Sequence, residues 1–273
     1  MRRSRAALSG PPAVLVCVLL CVAVSAQQRG GPPPGPPPTP KAAAPIDLTG
    51  YWVSLVTEDW RWRMVTPIKG DSASVPINAA AKKIVNDWDP AKDEAAGNQC
   101  KAYGAPAIMR MPGRLHITWQ DDTTLKIDID AGTQTRLLHF PSTGSGQAPT
   151  ATAKAAPSWQ GYSTARWETG LTPVGGQLPL GLGPRQAQRS RSLEAQTNNL
   201  KPGYLRKNGV PYSDKTTVTE YFERFTEPDG NDHLMVMTIV ADPEYLAVPF
   251  VVTSDFKKEA DGSKWDPTPC SAR

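Results

Sequence analysis

The sequence is short of the residues that carry most metal and nucleophilic chemistry. Among 273 residues there are three histidines, His116, His139 and His233, and four cysteines. The histidines fall in three separate strand-like segments, and none stands in a His-x-Glu or His-Glu-x-x-His spacing that would gather ligands. Surface or core histidines are therefore the expectation. Cys100 and Cys270 lie far apart and form no close pair of the kind a structural zinc uses, so neither a metal nor a cofactor is expected. The run Gly161-Tyr162-Ser163-Thr164-Ala165 begins as Gly-x-Ser but lacks the second glycine of a nucleophile elbow, which argues against Ser163 as a nucleophile.

Long apolar runs are lacking too. Residues 13–24, AVLVCVLLCVAV, are only twelve, against roughly 20 for a membrane-crossing helix. They follow Arg2, Arg3 and Arg5 and end in Val-Ser-Ala, the layout of a cleavable secretory signal over residues 1–26. Cys17 and Cys21 within this run are preceded by Val and Leu, which does not suit lipid attachment. The signal holds three basic residues and no acid, so 27 basic residues stand against 26 acidic ones beyond it. A near-neutral chain without a Lys/Arg block excludes a nucleic-acid partner. Export to the periplasm or beyond permits disulfides and leaves Cys100 and Cys270 to form one.

Residues 27–45, QQRGGPPPGPPPTPKAAAP, carry eight of the 28 prolines and read as an extended, solvated spacer. Residues 46–273 then form a single domain. Its pattern is that of strands. TLKIDID at 124–130 alternates Leu125, Ile127 and Ile129 with polar residues and leads through Ala131-Gly132 into TQTRLLHF, a hairpin. RLHITWQ at 114–120 places Leu115, Ile117 and Trp119 on one face. TTVTEYFERF at 216–225 and HLMVMTIV at 233–240 form a second pair around Pro228-Asp229-Gly230. One helix is expected, after Asn78 as N-cap and ending before Pro90, with Ile84, Val85 and Trp88 as its apolar stripe. Residues 141–158 and 169–188 have loop composition and read as inserts between strands. DWRWRM at 59–64 reads as a strand with Trp60 and Trp62 in the core and Arg61 and Arg63 in water, or as a wall of paired guanidiniums for a carboxylate or phosphate. The fold class is all-β and mainly antiparallel, a lipocalin-like β-barrel or a sandwich with one short helix.

Gly50 and Trp52 in LTGYWVS resemble the Gly-x-Trp of lipocalins and the wider calycins, which implies a barrel plugged by the tryptophan. The runs GYSTARWE (161–168), RKNGVPYSDKTTVTEYFER (206–224) and VADPEYLAVPF (240–250) resemble a group of secreted proteins of soil bacteria. Tyr221 departs from that group's usual arginine, and an insertion follows Glu168. That resemblance implies export and a β fold and brings no catalytic residue with it.

On TTVTEYFERF both faces mix charge with aromatics, so the strand is expected to line something polar. Arg166, Glu168, Tyr204, Arg206, Asn208, Tyr212, Glu220 and Arg224 are the candidate ligand-binding residues, and an ion pair of Glu220 with Arg224 or Arg166 is the structural alternative. The functional expectation is an exported lipocalin-like binding protein for a small ligand. Two alternatives stand beside it: a barrel-type hydrolase or isomerase using Glu168 or Glu220 as acid or base, and an accessory subunit with a cell-envelope protein partner. No membrane span is expected after signal cleavage.

Overall fold

The structure, a computed structural model, describes residues 37–141, 156–168, 192–273 and, as backbone, 171–172 and 188–189. The expected signal and most of the spacer and inserts lie outside the described residues. Among the described residues thirteen strands run in chain order: β1 (Gly50–Leu55), β2 (Arg114–Trp119), β3 (Thr124–Ile129), β4 (Gln134–His139), β5 (Tyr162–Trp167), β6 (Leu171–Thr172), β7 (Gln188–Arg189), β8 (Ser192–Asn198), β9 (Gly203–Arg206), β10 (Val210–Tyr212), β11 (Thr217–Thr226), β12 (Asp232–Ala241) and β13 (Phe250–Glu259). Nine of them close a barrel in the order β1-β13-β12-β11-β8-β5-β4-β3-β2, which decides for a barrel over a sandwich. Neighbours pair antiparallel except β4 with β5, where Leu138 faces Ser163 in parallel register. Both expected hairpins form, β3 with β4 and β11 with β12.

Two-residue alternation explains the closure. On β12, Leu234, Val236, Thr238 and Val240 are buried while their neighbours are not. Leu115 and Ile117 on β2, Leu125, Ile127 and Ile129 on β3, and Phe222 on β11 fill the same interior. Trp52 of the Gly-x-Trp is fully buried among them, and its indole donates to the Leu48 carbonyl at 2.9 Å. The interior also holds polar groups, contributed by six successive barrel strands: Arg136, Ser163, Thr197, Glu220, Thr238 and Ser254 are all buried. The histidines point the other way. His116 stacks on Tyr51, His139 on Tyr162 and His233 on Phe225, and no group of three or more His, Cys, Asp or Glu that could hold a metal occurs among the described residues.

One end of the barrel is covered by the excursion between β1 and β2 and by the β9–β10 hairpin. The excursion carries four short helices, α1 (Trp60–Arg63), α2 (Ala79–Asp87), α3 (Pro90–Ala95) and α4 (Ala105–Ile108), with a 3-10 turn at Gln99–Tyr103. The helix capped by Asn78 is α2; its cap accepts from the amides of Ala80 and Ala81. The single-helix expectation is otherwise too low, because Pro90 starts a helix as well as stopping one: it occupies the first turn of α3, where Asp89 caps Ala91. DWRWRM is likewise a helical turn and not a strand. Asp59 takes the left-handed conformation (φ 54°) and redirects the chain, so that Arg63 is buried and Trp60 is 65% exposed, the reverse of the strand reading. At the other end Trp119, Phe140 and Trp167 cluster, and Trp167 donates to the Pro40 carbonyl at 2.8 Å. Packing against the barrel thus reaches back to Pro40, within the stretch expected to be a spacer.

After β13 the chain returns along the outside of the barrel. Trp265 packs its edge on Tyr51 and His116, Thr268 pairs with the backbone of Asp130, and Cys270 bridges to Cys100, as expected, across a separation of 170 residues. No helix among the described residues is long and apolar enough to cross a membrane.

Candidate functional site

The eight candidate residues are not brought to one place. Arg166 lies on the outer face and binds Glu194, which is buried on that face. Glu168, near the opposite end from the helical cap, accepts from the Ser192 hydroxyl. Tyr204 donates to Asp93 at 2.8 Å, and burial together with that acceptor pushes its phenol well above the ordinary range. Tyr212 is buried in the cap core, where desolvation raises its phenol. Arg224 binds Asp232 and the Asp47 carbonyl at the barrel edge.

Glu220 is paired, but with neither of the arginines expected. Arg136 of β4 reaches across the barrel and donates Nη1 to Oε1 at 2.9 Å and Nη2 to Oε2 at 2.5 Å, with both side chains at 0% exposure. Arg136 also touches Thr197, which shares a hydrogen bond with Ser163. Arg166 and Arg224 could not serve, because the former faces outward and the latter sits beyond the point where β11 leaves the core. A carboxylate clamped on both oxygens inside the barrel is a structural group and is not free for acid–base chemistry.

Arg206 and Asn208 belong to a different constellation. They sit at the tip of the β9–β10 hairpin, whose apolar residues Leu205, Val210 and Tyr212 are buried in the cap core. The Asn208 amide donates to the carbonyls of Ile68 and Asp71, fixing the loop after α1 against the hairpin. Between these parts lies a cleft with a cavity of about 30 Å³, walled by Trp62, Arg63, Pro67, Arg110, Arg206 and Lys207. Three arginines converge here from α1, from the residues after α4, and from β9. Arg63 donates to the Arg110 carbonyl at 3.0 Å and to Glu58 at 2.5 Å, and Arg110 donates to Asp59 at 2.8 Å. Asp71 accepts from the amide of Ala73, from the Trp62 indole and from Arg61, which together hold its carboxyl below the usual range.

Arg206 has no such acceptor. It is 3% exposed, its guanidinium lies 4.8 Å over the Trp62 ring, and none of its three nitrogens has a hydrogen-bond partner among the described residues. Burial, and then the charge of Arg110, press its pKa down to about 10, so it remains a cation at neutral pH. Nη2 of Arg63 in the same cleft is also without a partner among the described residues. A buried guanidinium left without acceptors is costly, and an anionic oxygen in the cleft would remove that cost. The arrangement is suited to holding an anion between donors already fixed in place.

The two arginines of DWRWRM do not stand side by side: on this helical turn Arg63 enters the cleft and Arg61 stays outside on Asp71. Arg110, in MRMPGR, lies in no periodic segment, so no sequence pattern singles it out. The hairpin that aims Arg206 had a signal in Asn208-Gly209, a dipeptide that favours tight β-turns. Compared with known proteins, the chain matches no family model, no curated protein and no solved structure.

Proposed function

We propose that the protein is an exported binding protein for a small ligand, and that it grips the ligand by an anionic group in the Arg63, Arg110 and Arg206 cleft. The secretory layout of residues 1–26 supports the export half of this reading. The observation that carries the binding half is the guanidinium of Arg206, buried, cationic and without a hydrogen-bond acceptor among the described residues. A protein selected only for stability would place an aliphatic side chain there, since replacing buried charge by apolar volume is often neutral or stabilising by about 1–4 kcal/mol.

Titration calorimetry of the chain from residue 27 with acetate and with inorganic phosphate tests this. Binding of either anion is expected in the wild type and its loss in Arg206→Met, with the melting temperature of the variant equal to or above that of the parent. A variant that binds the anions as well as the parent, or a parent that binds neither, refutes the cleft as the site.

A further inference from the structure

The cavity is small, with about 30 Å³ open to the centre of a water molecule. A space of that size suits a small polar head, and the cleft is open to solvent, so the body of a larger ligand would continue over the surface next to the arginines. That surface is apolar. Trp60 is 65% exposed, Met64 58%, Val65 66% and Ile68 76%, the largest such concentration of exposed apolar side chains along the described chain. Trp60 opens α1 and Met64 caps it four residues on, its amide donating to the Trp60 carbonyl, so the two share a face. Val65 both belongs to this strip and lines the cleft, together with Pro67, so the two features are continuous. The strip is held in place from beneath, since Asn208 grips the Ile68 carbonyl and Arg63 anchors α1 to the Arg110 backbone.

Resting on the anion-binding reading, we infer that the ligand is an amphiphilic monocarboxylate: its carboxylate enters the cleft against Arg206 and Arg63, and its hydrocarbon chain lies over Trp60, Met64, Val65 and Ile68. Charge complementarity selects the head, and its size favours a planar carboxylate, which two guanidinium nitrogens can meet side by side. An exposed apolar strip abutting a buried cationic cleft is the complement of such a molecule. Each methylene that leaves water tightens binding by roughly threefold to fourfold.

The test compares acetate, octanoate and octanol on the same chain from residue 27 by calorimetry. Octanoate is expected to bind at least tenfold more tightly than acetate, and octanol, which lacks the charge, to bind far more weakly than octanoate. The double variant Trp60→Ser with Met64→Ser changes exposed positions only; it is expected to keep acetate binding and to lose the octanoate advantage, whereas Arg206→Met loses both acids. Equal affinities for acetate and octanoate would overturn the amphiphile while leaving the anion site standing. Failure to bind either acid would overturn both. Octanoate binding that survives Arg206→Met would place the carboxylate elsewhere and overturn the inference as well.

Discussion

At the scale of single residues, Glu220 and Arg206 are opposite solutions to the same problem. Each is a charge removed from water, but Glu220 has both oxygens met by Arg136 while Arg206 has no acceptor among the described residues. Removing one member of the first pair strands the other, so Glu220→Gln should destabilise the protein by about 3–5 kcal/mol in urea melts without touching anion affinity. Replacing both, Glu220→Leu with Arg136→Met, should recover most of that loss. A Glu220→Gln protein as stable as the parent would show that the pair contributes nothing. Mixed charge and aromatics on TTVTEYFERF did signal a buried charge. The partner was not legible, because Arg136 comes from a strand 84 residues away in the chain and reaches Glu220 through the barrel interior, a contact that no local pattern encodes.

At the scale of elements, the β9–β10 hairpin is the part that turns a loop-like sequence into a site. Its turn uses Gly209 at φ +82°, where the Trp88 side chain lies 2.4–2.5 Å from the position a Cβ would occupy. Gly209→Ala must therefore both adopt a left-handed conformation and displace Trp88, and a loss of about 2–3 kcal/mol is expected. Because Trp88 follows α2 while Arg206 lies at the far side of the same turn, the variant should also weaken acetate binding. An alanine variant with parental stability and affinity would mean that the turn does not set the position of Arg206. Long alternating strands such as β3, β11 and β12 were readable from sequence because one face meets the core along their whole length. Of the cap's short helices only α2, behind its Asn78 cap, was readable: α1, α3 and α4 are four to six residues long and are held by tertiary contacts, with too few turns to show a period.

At the scale of the whole molecule, the bridge between Cys100 and Cys270 ties the returning C-terminal segment to the cap. Chain-entropy arguments give on the order of 5 kcal/mol for closing so long a loop, and measured bridges usually contribute about 2–5 kcal/mol. Cys270→Ser should lower stability by an amount in that range, and thiol titration of the oxidised protein should find no free thiol. Two reactive thiols in the native protein would contradict the bridge. The pairing was legible because only two cysteines lie beyond the expected signal, whereas the path of the tail over Tyr51 and His116 was not, since residues 260–269 carry no regular pattern.

The lone parallel joint between β4 and β5 follows from parity. Nine strands arranged in a ring cannot alternate direction all the way round, so at least one adjacent pair must run the same way. At that pair the chain leaves β4 at the Trp119, Phe140 and Trp167 end and must enter β5 at the end covered by the helices. Six strand residues measure about 20 Å, so about six or seven extended residues are the minimum for the crossing. The two inserts of similar composition are thus under different constraints. The one following Glu168 joins antiparallel neighbours at a single end of the ring and could be cut to a tight turn. The one following Phe140 can be shortened only to the length of the crossing, and deleting it entirely would force the barrel to change its strand number.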